Sequence, residues 1–405
     1  VEAATDQEPP RVHRLDRVDP AAVPRIASGS AELDRVLGGG LVPGSVVLLG
    51  GEPGVGKSTL VLQMSSKMRD AGGPALVATA EESVEQVALR GERLGVSAGD
   101  VMVVAEDDVD RILAAAHQVG ARLLVVDSIQ TVGVGDLDSA PGSVVQVRES
   151  ASRLIRFAKT TDTPVVLVGH VTKDGGLAGP KLLEHMVDVV LYLEGDPDRG
   201  FRALRSFKNR FGPTHRVALF DMRAEGLVEL EDPSRAFLAD WRDDVPGTVA
   251  FCAIDGRRPV MVEIQALVAP TSHQPARRSV RGVDASRVHQ ILAVLDRHCG
   301  VGLADSEVYV NVVGGWRLDE PACDLPVALA VVSSALYRPL SSLAAWGEVG
   351  LAGEVRPVSL AATRQEEARR LGVSQVVAPA EGVRLTLAEA LAMAGLATPT
   401  VRAAT

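Results

Sequence analysis

The chain alternates short, wholly apolar runs with longer stretches in which apolar residues recur every three or four positions. Val46-Val47-Leu48-Leu49, Ala75 to Ala80, Val101 to Ala105, Leu123-Leu124-Val125-Val126 and Pro164 to Gly169 read as strands buried on both faces. Between them lie helical stretches. One follows Leu60 as far as Gly72-Gly73, and one opens at Ser83-Val84-Glu85-Gln86 with capping-box spacing and runs to about Gly95. Another is capped by Asp108 and reaches Gly120, and a fourth spans Ser143 to Lys159. Strand–helix alternation of this kind predicts an α/β fold whose mainly parallel sheet is covered on both faces. After Met186 the pattern changes to strands joined by turns, with Gly195 to Gly200 as a hairpin tip.

Residues 1–27 are rich in Pro, Arg and Asp without periodicity and read as a leader or linker. Organised sequence begins at Ser28. Charge and proline gather over 231–246, so the expected domains are 28–235, a linker at 236–246, and a smaller α/β domain at 247–405. The second domain shows strands near Thr248 to Ile254 and Val260 to Val268, a basic loop from Ser272 to Arg281, a helix from Asp284 to His298 and a strand at Val308 to Val313.

Gly51 to Thr59, GEPGVGKST, follows the first apolar run and precedes a helix. It fits G-x-x-x-x-G-K-[ST], a phosphate-binding loop. Gly51, Gly54, Val55, Gly56 and Thr59 form the cradle of backbone N–H groups. Lys57 is expected on the β/γ-phosphate oxygens and Ser58 on Mg²⁺. Asp127 ends the strand Leu123 to Val126 and is expected to hold the Mg²⁺ shell. The cofactor call is therefore ATP with Mg²⁺. Glu81 and Glu82 end the intervening strand, where a carboxylate could polarise the attacking water; Glu81 is the choice for general base, the alternative being a pair of solvated helix N-terminal acids. His170 ends a later strand and is a candidate γ-phosphate sensor, or a simply hydrogen-bonded histidine.

Composition is 46% hydrophobic and 23% charged, with no apolar run long enough to span a membrane. The net charge of −10 argues against a generally basic DNA-coating protein, so nucleic-acid contact must be local. Cys252, Cys299 and Cys323 form neither a disulfide framework nor a zinc spacing, which with no signal peptide fits a cytoplasmic setting.

Ser28-Gly29 and Glu32-Leu33-Asp34 ahead of the P-loop resemble the RecA-type ATPase core. Together with Glu81-Glu82-Ser83, Ala140-Pro141-Gly142-Ser143 and Lys208-Asn209-Arg210-Phe211-Gly212, they are similar to the bacterial RadA (Sms) DNA repair proteins, of which KNRFG is the distinguishing motif. Gly247 to Gln265 and Gly347 to Pro357 look like the proteolytic domain of Lon proteases, which RadA proteins carry in inactive form. The resemblance places the dyad serine at Ala322 and the lysine near Ala362. No Lys follows Lys208, so Cys323 has no amine to activate it and proteolysis is not expected. RadA proteins usually begin with a four-cysteine zinc motif; none stands in residues 1–30, and the sequence reads as a truncated piece.

What the resemblance implies is a homo-oligomeric, hexameric ring and an ATP-dependent motor on single-stranded or branched DNA. The ring would promote branch migration with a strand-exchange recombinase. Lys208 and Arg210 lie on one side of an extended segment. They read equally as an arginine finger reaching a neighbour's γ-phosphate, a solvated basic turn, or a DNA phosphate contact; the resemblance implies coupling of ATP turnover to translocation. Candidate DNA contacts are Arg148, Arg153, Arg156, Lys173 and Lys181, with Arg277, Arg278 and Arg281 as an outer cluster. An ATP-dependent protease and a non-motor assembly module are the competing readings.

Overall fold

The computed structural model describes residues 14, 24–68, 73–96, 99, 101–170, 178–195, 201–214, 216–255, 257–271 and 276–397, with the side chains of 178–181 and 315 outside that description. The described residues fall into two compact units. One lies within Val1–Tyr192 and Ser206–Thr214, the other within Leu193–Arg205 and His215–Thr405. The boundary thus differs from the expected linker at 236–246. Val217, Leu219 and Phe237 are buried in the core of the second unit, which draws the segment after Thr214 into it.

The first unit runs α1 (Ala31–Leu37), β1 (Val46–Gly51), α2 (Lys57–Lys67), β2 (Ala75–Thr79), α3 (Val84–Arg93), β3 (Val101–Ala105), α4 (Val109–Gln118), β4 (Leu123–Asp127), α5 (Val144–Thr161), β5 (Val165–His170), α6 (Ala178–Met186) and β6 (Val189–Glu194), whose last two residues fall in the second unit. Its strands lie in the order β3-β2-β4-β5-β1-β6, parallel from β3 to β1. The apolar runs lack polar positions because both faces are covered. Val46 and Leu48 of β1 share a core with Leu124, Val126, Leu167 and the helix residues Ile112, Val147 and Leu154. Val47 and Leu49 line the opposite face with Leu33, Leu37, Leu60 and Met64. Burying each such side chain contributes about 1.5–3 kcal/mol.

Helix starts agree with the capping signals. Ser83 accepts from Gln86 N at 3.4 Å while the Gln86 side chain takes the Ser83 N–H at 2.8 Å. Asp108 caps α4 through Asp110 N and Arg111 N, and Ser143 caps α5 through Gln146 N. β5 is inserted between β1 and β4, with Gly51 level with His170, Val168 with Asp127, and Asp127 with Thr79 of β2. That register brings the P-loop, His170, Asp127 and the residues after β2 to one edge of the sheet, where parallel α/β folds carry their ligands.

β7 (Phe201–Asn209) begins in the second unit and ends in the first. In the second unit, Phe201 to Arg205 pair antiparallel with β8 (Val217–Arg223), which turns into β9 (Gly226–Glu229). There follow α7 (Pro233–Phe237), β10 (Thr248–Asp255), β11 (Arg258–Pro270), β12 (Arg278–Arg281), α8 (Ala285–Cys299), β13 (Ser306–Val312), α9 (Asp324–Leu336), β14 (Leu343–Ala345), β15 (Glu348–Val349), β16 (Glu354–Arg356), α10 (Ala361–Arg370), β17 (Gln375–Val377), β18 (Leu385–Thr386) and α11 (Leu387–Met393). Its main sheet has the order β12-β13-β11-β10-β14-β17, and β15, β16 and β18 form a small second sheet. α9 is apolar almost throughout because it is the central buried helix of this unit, with Leu325 to Val332 fully covered. Most of the expected hairpin tip, 196–200, and 272–275 of the basic loop lie outside the described residues. No helix among the described residues is long and apolar enough to cross a membrane.

Candidate nucleotide site

Gly54 and Gly56 take left-handed φ values of 78° and 115°, which lets the loop turn back on itself at little steric cost. α2 starts at Lys57 with Gly56 as its cap and no side-chain cap, so its first N–H groups face the loop. Val55 is buried and pins the loop to the core, while Gly54 is exposed and Thr59 half-buried. Lys57 is buried; its Nζ donates to Gly51 O at 2.8 Å and Glu52 O at 3.0 Å, and lies 3.1 Å from His170 Nδ1. Burial pushes its pKa down, opposed by the charges of Asp127 and Glu81. The ammonium is thus held by carbonyls of the loop itself.

Asp127 is pushed above the usual carboxylate range, first by burial and then by Glu81, against a hydrogen bond with Ser58 and the charges of His170 and Lys57. A desolvated carboxylate beside a hydroxyl is a set of hard oxygen donors, and it fits Mg²⁺. The two adjacent glutamates separate. Glu81 Oε1 accepts from Ser128 Oγ at 2.7 Å and lies 3.5 Å from His170 Nε2. Glu82 turns away to an ion pair with Arg90. Of the two acids, then, Glu81 faces the P-loop. Sequence reasoning passed over the residues that hold this arrangement. Thr131 Oγ1 lies 3.2 Å from Ser128 Oγ, and the Gln130 amide grips both backbone groups of His170, at 3.2 and 3.3 Å. The polar cluster just after a strand-ending acid was the available signal.

KNRFG sits elsewhere. Lys208 Nζ donates to Glu184 O at 2.7 Å, Val187 O at 2.8 Å and His185 O at 3.3 Å, at the C-terminus of α6. Asn209 donates to Val36 O and Leu37 O at the end of α1. Arg210 is half exposed and pairs with Asp188 at 3.0 Å, its own N–H bonded to Asp188 O at 3.1 Å. Phe211 O accepts from Arg25 at 2.9 Å. Gly212 lies against Gly38: a Cβ on either would come within 3.0–3.1 Å of the other's Cα. Asp188 is the buried residue behind this motif. Its carboxylate also takes Lys159 at 3.0 Å and the N–H of Val46 at 3.1 Å. Although burial works the other way, these donors hold its pKa below the usual range. A lone acid at the head of the apolar run from Val189 was the sequence signal for it.

The expected DNA contacts divide. Arg148 and Arg156 are exposed on α5. Arg153 is engaged by Asp110, Glu149 and Asp136, which neutralise it. Lys173 lies outside the described residues, as does the side chain of Lys181. In the second unit Arg277 and Arg281 are exposed, whereas Arg278 donates to Ser306 O and, at 2.8 Å, to Leu303 O.

Ala322 lies buried in a short turn, Pro321–Cys323, and Ala362 is exposed in the first turn of α10. Cys323 is buried, and burial, Asp324 and Glu320 drive its thiol pKa far up. Fully buried Arg364 pairs with Glu320, donates to Cys252 O and to Ser359 O at 3.1 Å, and lies 5.7 Å from the Phe251 ring. Arg287 pairs in the same way with fully buried Asp324.

Comparison with known proteins gives a consistent picture. The model of a family described as an AAA domain matches residues 9–176. The DNA repair protein RadA of Halalkalibacterium halodurans is 47% identical over 90% of this chain and 80% of its own length. RadA of Brucella abortus is 49% identical over 88% of this chain and 78% of its own. RadA of Escherichia coli is 44% identical over 95% and 84%. Among solved structures, the RadB recombinase matches 51% of this chain at 23% identity with a TM-score of 0.41.

Proposed function

Because the chain belongs to the family of RadA DNA repair proteins and is a P-loop ATPase of DNA repair, we propose that it hydrolyses ATP at a site completed by a second copy of itself. The observation that carries this is the position of Arg210. Its partner Asp188 bonds to Val46 at the start of β1, while the P-loop leaves the far end of the same strand at Gly51. Five residue steps at about 3.3 Å each separate them by about 17 Å, farther than an arginine side chain extends. Arg210 cannot serve its own γ-phosphate. Half exposed at the opposite edge, it is available to a neighbour's.

In this reading Lys57 exchanges Gly51 O and Glu52 O for the β/γ-phosphate oxygens. Glu81, held by Ser128, takes the proton of the attacking water, and His170 lies between the acid and Lys57. Ser58 and Asp127 would hold Mg²⁺, which supplies positive charge across the phosphate oxygens. Arg210 of the adjacent copy meets the charge that develops on phosphoryl transfer. Head-to-tail sharing of sites between copies builds a ring where the rotation closes, and a hexamer is the proposed form. The second unit serves as a catalytically silent, Lon-like scaffold. A cytoplasmic ring would use ATP turnover to move along single-stranded DNA and drive branch migration beside a strand-exchange recombinase. Arg148 and Arg156 are the first-unit candidates for phosphate contact.

The test combines ATPase rates with and without single-stranded DNA and particle mass in each nucleotide state. Lys57→Ala abolishes hydrolysis. Arg210→Ala binds ATP and turns over poorly, and mixing it with Glu81→Gln restores activity, since each supplies what the other lacks. A mixture as inactive as its components refutes the shared site.

A further inference from the structure

Tyr192 lies on β6 beside the P-loop strand, and its ring covers Gly50, the residue before the loop. A Cβ at Gly50 would fall 2.3 Å from the ring, so the main chain of β1 and the tyrosine occupy adjoining space with nothing between them. The Tyr192 hydroxyl donates to Glu184 Oε1 of α6 at 2.7 Å, and its ring packs edge-on against Phe207, centroids 4.8 Å apart. Lys208, next to Phe207, donates to the carbonyl of the same Glu184 and to those of His185 and Val187. These are the acceptors that the end of a helix leaves without partners, and a cation there also meets the negative end of the helix dipole. The next residue but one, Arg210, is fixed through Asp188, which follows directly in the chain.

We infer that Lys208 is a positioning residue acting within its own chain as the cap of α6, and that Glu184 and Tyr192 tie this cap to the P-loop strand, setting the place of Arg210. The inference rests on the reading of Arg210 given above. It separates the two cations of the motif: Arg210 is offered to the neighbouring copy, and Lys208 is spent on three carbonyls at home. Burial lowers the Lys208 pKa together with the charge of Arg210, against the charges of Asp188 and Glu184. That cost is consistent with an ammonium docked on a helix end.

The test is a set of ATPase measurements on the full chain with Lys208→Met and Tyr192→Phe, each alone and combined with Arg210→Ala, joined to amide hydrogen exchange without nucleotide. Tyr192→Phe keeps the ring and removes one hydrogen bond, so it remains informative where Lys208→Met weakens the fold. The expected result is a kcat lowered about 5-fold by Tyr192→Phe, from one hydrogen bond of about 1 kcal/mol, and up to about 100-fold by Lys208→Met, from misplacement of the finger. The KM for ATP stays unchanged. Neither change lowers the residual rate of Arg210→Ala further, and the amides of 184–189 exchange faster in both. Should Lys208→Met cut the rate by the same factor with and without Arg210, and leave exchange at 184–189 unaltered, Lys208 touches phosphate itself and the inference is wrong. A wild-type rate in Arg210→Ala alone overturns the reading of Arg210, and the inference with it.

Discussion

Replacing Asp188 by Asn tests whether one buried carboxylate holds the foot of the P-loop strand and the KNRFG motif together. Its side chain is 7% exposed and takes Lys159, Arg210 and the Val46 N–H. Lys159 and Arg210 are half exposed, so each pair is discounted to about 0.5 kcal/mol. The buried bond from Val46 weakens when its acceptor loses charge, by on the order of 1 kcal/mol. The sum is about 2 kcal/mol, or a fall of about 4–8 °C in the melting transition of a unit of this size. The sign with pH follows from the depressed pKa. Stability from Asp188 is fully present above the unfolded carboxylate value, about 3.9, and is lost as pH falls through the lower folded value. The gap between wild type and Asp188→Asn in calorimetric scans therefore stays level from pH 7 to about 5 and narrows below about 4. Equal stability at pH 7, or a gap that persists unchanged into strong acid, refutes the reasoning.

Glu81→Gln lowers kcat by about 100-fold or more, as loss of a general base does, whereas Glu82→Gln, which touches Arg90, leaves turnover close to wild type; equal effects would remove the distinction. Arg153→Ala leaves stimulation by single-stranded DNA unchanged, because its charge is already met by three acids, while Arg148→Ala weakens it in a salt-dependent manner; the reverse order would move the DNA path. Arg364→Met strands Glu320 without its buried partner and costs about 3–5 kcal/mol, read as a lower urea midpoint for the second unit. Paired replacement Arg364→Met with Glu320→Gln recovers part of that loss.

The sheet was legible because each central strand is a run of four or five apolar residues, and only burial on both faces favours that pattern. The P-loop and Asp127 were legible because their spacing to strand ends is itself the chemistry. Glu81 and Glu82 were not separable, since nothing local distinguishes two adjacent acids until Ser128, 46 residues beyond Glu82, hydrogen-bonds to one and Arg90 pairs with the other. Lys208 and Arg210 looked alike for the same reason: charge is local, but the carbonyls and the carboxylate that claim it come from α6 and from Asp188. The domain boundary was misplaced because proline and charge mark exposed chain, whereas the units divide according to where Val217, Leu219 and Phe237 are buried.

The contact of Gly38 with Gly212 joins the end of α1 to the end of KNRFG through main chain alone. A joint between side chains has rotamers and therefore play; two backbones in touch have none. Even a single methyl group at either glycine would come within 3.0–3.1 Å of the facing Cα and act as a wedge between the end of α1 and the segment carrying Arg210.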